Sequence, residues 1–211
     1  MKKHDVRLEI SGPAAMWTRP DTGDAPVSYP APTFGAVKGI FESILWDKAA
    51  EIVPTKVEIC RPIFLQPYTT NYGGPLRKND SVKKGTSYQF LATILVDVCY
   101  RLYADVLCDH EKPYRDEKGE IITTNGAHAY AARFKRRLMQ GKMFEMPCLG
   151  WKEFVPDYVG PFRDETKVCE EINLTIPSML KTCFPHGKNS EYDPVYIQNI
   201  KIVRGVMNYA E

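Results

Sequence analysis

Five of the ten residues from Arg133 to Lys142 are cationic: Arg133, Lys135, Arg136, Arg137 and Lys142, with no carboxylate among them. On a helix, Arg133, Arg136 and Arg137 share one face at i, i+3 and i+4, and Phe134 and Leu138 form another stripe. A solvated helix face ordinarily mixes signs, so an unbroken run of positives is suited to binding an anion, and phosphate is the expected one. Arg77-Lys78 and Lys83-Lys84 form a second basic stretch in a polar segment. Trp17, Tyr29, Tyr68, Tyr72 and Tyr88 sit in or beside predicted loops. Unpaired bases stack on such rings. Trp17 and Tyr29, beside Arg19 and Ser28, are expected to face a ligand, whereas Trp46 and Tyr100 are expected to pack.

The elements that must hold these residues follow from periodicity. Val6, Leu8 and Ile10 alternate with Arg7 and Glu9, which predicts a half-buried strand ended by Gly12-Pro13. Thr33 is placed to cap a helix whose apolar face is Phe34, Val37, Ile40, Phe41, Ile44 and Leu45. Pro54 is expected to close that region, and a second strand to run from Val57 toward Phe64. Residues 67–85 read as a polar loop. Val96, Val98, Tyr100, Leu102, Ala104 and Val106 alternate with polar positions and predict a long strand. A charged loop, 110–126, precedes a helix near 127–140 with Gly141 as its stop, and an extended segment opens at Pro147. Further on, Val168, Ile172, Leu174 and Ile176 predict one strand, and Val195 to Val203 another.

This order predicts an α+β fold with a ferredoxin-like (RRM-like, βαββαβ) core over residues 1–160 and a small β-rich extension over 161–211. Of 211 residues, 44% are hydrophobic and 26% charged, which is globular composition without internal repeats or low-complexity tracts. The net charge of +2 excludes a uniformly basic coat, but it hides an asymmetry. Residues 151–211 hold seven basic and nine acidic side chains, leaving +4 on the first 150 positions. The six cysteines form no CxxC pair or zinc spacing, so free thiols in a reducing cytoplasm are expected, with no metal and no cofactor. No signal peptide or membrane span is expected.

Three segments carry a family resemblance. They are Gly12-Pro13-Ala14-Ala15-Met16-Trp17-Thr18-Arg19-Pro20, then Ser28-Tyr29-Pro30-Ala31-Pro32-Thr33 running through Lys38-Gly39-Ile40 to Trp46, and Phe134-Lys135-Arg136-Arg137 with Leu149-Gly150-Trp151-Lys152-Glu153-Phe154. Over about residues 5–160 the chain resembles the CRISPR-associated repeat-handling subunit of the type I-C (Dvulg) branch, a group of RAMP proteins. The resemblance implies a ferredoxin-like RAMP core. It also implies binding of the repeat-derived 5′ handle of crRNA in a Cascade surveillance complex, and cutting of the pre-crRNA repeat hairpin by 2′-OH attack without a metal. The implied partners are that RNA and the other type I-C subunits, with target DNA as a further candidate.

The chain departs from the family's processing residues. A tyrosine before the Trp that ends the first helix is Leu45 here, and a Lys-His pair before the Phe-x-Arg-Arg helix falls on Ala129-Tyr130. None of the three is kept in register; if the cut is retained, nearby residues are expected to carry it, His128 as base or acid, Tyr130 as its partner and Lys135 or Arg136 as the phosphate cation. The expected RNA contacts are Trp17, Arg19, Tyr29, Lys38, Arg133, Arg136 and Arg137. The alternative is a non-catalytic subunit that only anchors the handle and its neighbours.

Overall fold

The structure, a computed structural model, describes residues 4–72, 88–108, 115, 118–121, 125–185 and 191–209. The basic stretch of Arg77-Lys78 and Lys83-Lys84 lies outside the described residues, as do the side chains of Tyr72 and Tyr88.

The elements in chain order are β1 (His4–Ala15), α1 (Phe34–Ile44), β2 (Ala50–Ile59), β3 (Phe64–Tyr72), β4 (Tyr88–Cys108), α2 (Gly126–Met139), β5 (Tyr158–Gly160), β6 (Leu174–Thr182), β7 (Val195–Val203) and β8 (Val206–Asn208). The fold is α+β, with one mostly antiparallel sheet ordered β5-β1-β4-β2-β8-β7-β6 and β3 paired to β4. The 21-residue β4 is its spine. β1 lies along one side of it from His4 opposite Val106 to Ala15 opposite Leu95. The other side is shared: β3 pairs with Tyr88–Val96 and β2 with Tyr100–Cys108. Alternation turns Leu8, Ile10, Leu102, Ala104 and Val106 toward the two helices, where they are fully buried with Val37, Phe41 and Phe134.

Several strand limits differ from those the pattern predicts. β1 continues through Gly12-Pro13, because beyond Ser11 it has, among the described residues, a strand on one side only, a setting that tolerates proline. Pro54 lies inside β2 at a register shift opposite β4. The single strand expected from Val57 toward Phe64 is two strands, and β3 occupies 64–72, part of the expected polar loop. The segment after Pro147 is irregular, and the strand there is β5. Val168 and Ile172 precede β6 instead of joining it.

The C-terminal strands continue the same sheet through β2 and β8, and β6 reaches α1, so the sheet curls around that helix. Two tyrosines fasten the curl. The Tyr29 hydroxyl accepts the Leu180 N–H at 3.3 Å, and the Tyr209 hydroxyl donates to the Pro32 carbonyl at 2.5 Å. Among the described residues no helix is long and apolar enough to cross a membrane.

Candidate RNA-processing site

α1 starts at Thr33, whose hydroxyl accepts the Ala36 N–H at 3.3 Å. It ends with carbonyls that have no helical partner and carries no basic residue in its last turn. α2 and the segment after it supply what is missing. Arg137 Nε donates to the Ile44 carbonyl at 3.0 Å, and the buried Tyr130 hydroxyl donates to the Leu45 carbonyl. The N–H groups of Phe144 and Glu145 both reach the Ser43 carbonyl, at 2.8 and 2.9 Å. Arg133 lies 3.9 Å from Asp47 just past the helix. Cations at a helix C-terminus also meet the negative end of its dipole.

The face expected to bind phosphate is thus divided. Arg133 and Arg137 are half-buried against the end of α1, whereas Lys135, Arg136 and Lys142 are exposed. Tyr130 is 1% exposed, which corrects its expected catalytic role to a packing and capping one. Trp17 and Tyr29 are likewise corrected: at 2% and 4% exposure neither can stack on a base. The Trp17 indole donates to the Tyr100 hydroxyl at 3.3 Å, and its backbone N–H to Ser28 Oγ at 2.9 Å. Trp46, expected to pack, is exposed, and Tyr100 is buried as expected. Tyr68 packs edge-on against Phe154. Arg19 makes a two-pronged contact with Asp21, and Lys38 pairs with Glu51 at 3.2 Å, both at the surface.

In RNA-recognition folds the open face of the sheet carries the stacking rings. That face is covered here at β1 and β4 by the chain's own residues 163–166. Glu9, fully buried, accepts from Arg163 Nε at 2.6 Å, the Arg163 N–H at 3.0 Å and Thr166 Oγ1 at 2.7 Å. Arg101 donates to the carbonyls of Arg163 and Thr166, both at 2.7 Å. Burial pushes the Glu9 carboxyl up, but its bonds to Thr166 and Arg163 outweigh that and hold it below the ordinary glutamate value.

What remains open lies at the sheet's edge. β5 pairs with Glu9–Ser11, so among the described residues no strand lies beside His4–Arg7 of β1 on that flank. Between this edge, α2 and Pro161-Phe162 lies a hollow of about 680 Å³. His128 and Lys135 line it from α2, two turns apart, and Asp5 and Arg7 line it from β1. Arg7 lies over the Phe162 ring, 5.2 Å from its centroid. The hollow therefore joins an exposed imidazole with two cations, groups that can move a proton and hold a phosphate. It brings together His128 and Lys135 of the expected site and leaves out the other expected residues. Arg7 was missed, because in sequence it reads only as the polar half of an alternating strand. Among the described residues no group of three or more His, Cys, Asp or Glu side chains is placed to hold a metal ion.

The structure is thus of the α+β class, a mostly antiparallel curled sheet with few helices, and it carries at one edge a hollow lined by His128, Lys135 and Arg7. The family model described as CRISPR-associated protein (Cas_Cas5), of the Cas5d type, matches residues 5–199, and the chain belongs to that family. It is 31% identical over 157 residues to the CRISPR pre-crRNA endoribonuclease Cas5d of Mannheimia succiniciproducens, covering 71% of this chain and 69% of that one. It is 26% identical over 159 residues to the protein of the same name from Thermus thermophilus, covering 74% of this chain and 63% of that one. A crystal structure of a CRISPR-associated protein superposes with a TM-score of 0.68 at 18% identity, covering 100% of this chain and 94% of the other. A chain of a CRISPR RNA-guided surveillance complex superposes at 0.51 and 15% identity, covering 97% and 88%. These two likenesses concern the fold.

Proposed function

We propose that this protein binds the crRNA repeat, within a type I-C surveillance complex, and cuts the precursor there by metal-independent transesterification. The observation that carries the reading is the hollow that joins His128, Lys135 and Arg7. His128 takes the proton of the ribose 2′-hydroxyl, and the 2′-oxygen adds to phosphorus in line. The P–O5′ bond breaks, leaving a 2′,3′-cyclic phosphate, and the departing 5′-oxygen takes a proton from water. Lys135 and Arg7 hold the charge of the five-coordinate phosphate. Arg19, Lys38 and Arg136 serve as outer backbone contacts, and the other subunits of the complex meet the remaining surface.

The strand order β5-β1-β4-β2, with helices after β1 and β4, supports a ferredoxin-like core over residues 1–160, with 161–211 as its extension. A second reading, a subunit that anchors the handle without cutting, is favoured by Leu45 and the buried Tyr130 at the family's processing positions. Matched repeat RNA incubated with the protein in EDTA separates the two. One cut with a cyclic phosphate end, abolished by His128→Ala, supports processing. Tight binding with intact RNA supports anchoring.

A further inference from the structure

His4 lies at the first residue of β1, opposite Val106, and its ring meets that of His128 edge to face at 5.1 Å between centroids. Sequence separates the two by most of the core, so no motif pairs them. Asn125 joins them a second time. Its Oδ1 caps α2, accepting the N–H groups of Ala127 at 3.1 Å and His128 at 3.3 Å. That fixes which end of the amide is which, because the cap requires oxygen there. The Nδ2 end therefore faces His4 Nε2, 3.2 Å away, and donates to it. An imidazole nitrogen that accepts carries no hydrogen, so His4 is held as the Nδ1–H tautomer with its ring plane fixed. His4 is half-buried where His128 is exposed.

We propose that His4 is a positioning residue for His128. Pinned by Asn125, its ring braces the His128 imidazole at the rim of the hollow, beside Asp5 and Arg7 of β1 and Lys135 of α2. This rests on the processing reading above. A base set in one orientation is near its target before the RNA arrives, and a misplacement of about 1 Å can cost a factor on the order of a hundred in rate.

The test compares wild type, His4→Ala and His4→Gln. Gln keeps an acceptor for Asn125 and so preserves the cap contact, but it has no ring. Single-turnover cleavage of matched repeat RNA in EDTA is measured beside the RNA dissociation constant and the imidazole nitrogen spectrum. Both variants are expected to cut about tenfold more slowly with affinity unchanged within about twofold. His4 is expected to show the Nδ1–H tautomer, and the His128 signals to move in both variants. Cleavage by His4→Gln at the wild-type rate, or an Nε2–H tautomer at His4, overturns this proposal and leaves the processing reading standing. Intact RNA with wild type overturns both.

Discussion

The Tyr130 hydroxyl donates to the Leu45 carbonyl. These two residues stand where the family resemblance places processing side chains, and here they bond one another in the core. A backbone carbonyl at the end of α1 is thereby satisfied from α2. Tyr130→Phe should lower unfolding free energy by about 1 kcal/mol, the usual cost of one such bond. It should leave the cleavage rate of the folded protein unchanged. Urea unfolding and a single-turnover assay check this together. A hundredfold slower cut at unchanged stability would assign Tyr130 to the chemistry instead.

The divided basic face predicts a divided response to substitution. Lys135→Gln removes an exposed cation of the hollow, so RNA affinity should fall and the salt slope flatten by about one unit. Arg137 donates to the Ile44 carbonyl, so Arg137→Gln should mainly cost stability, about 1 kcal/mol. Binding isotherms between 50 and 300 mM salt, read beside melting curves, separate the two effects. Equal affinity losses without destabilisation would restore the undivided face.

Glu9 makes the fold sensitive to acid. Its carboxyl is held below the ordinary value of 4.5 in the folded state, against burial, by its bonds to Thr166 and Arg163. A lowered carboxylate contributes stability that is complete above the unfolded value and is lost as pH falls through the folded one. Unfolding free energy should therefore hold from neutrality to about pH 5 and decline below it. Glu9→Gln should lose about 2 kcal/mol at neutral pH, because the half-buried Arg163 and Arg101 lose their carboxylate partner, and its acid decline should be shallower. Denaturant titrations at stepped pH measure both. A parallel decline in wild type and variant would remove Glu9 from the account.

Gly150 marks a close backbone approach. It has φ +93°, and a Cβ there would lie 1.8 Å from the Met16 carbonyl oxygen. The neighbouring Leu149 carbonyl accepts the Met16 N–H at 2.9 Å, so the two segments cannot simply separate. Gly150→Ala should destabilise by at least about 2 kcal/mol through strain and displacement. A melting temperature within a degree of wild type would show that the contact yields freely.

Much of the scaffold was legible because it rests on local rules. The alternation of Val6, Leu8 and Ile10 marked β1, Thr33 marked the start of α1, and the run around Leu102 marked β4. The misread positions depended on distant partners. Pro54 sits in a strand because a register shift against β4 accommodates it. Trp17 is buried because Tyr100, far along the chain, accepts its indole N–H. Arg137 looked like a phosphate ligand, but its acceptor is a backbone carbonyl, which no side-chain pattern reveals. His128 and Lys135 were visible as chemistry, while Arg7 and His4 joined them only when the short β5 left the edge of β1 open.

The proposed cut takes place in the hollow beside β1. Its most direct test is single-turnover cleavage of matched and scrambled repeat RNA in EDTA by wild type and His128→Ala. One cut in the matched RNA is expected, with a 2′,3′-cyclic phosphate and a 5′-hydroxyl, slowed at least about a hundredfold in the variant at unchanged affinity. Tight binding of the matched RNA with no cut, or a cut indifferent to His128, would contradict it.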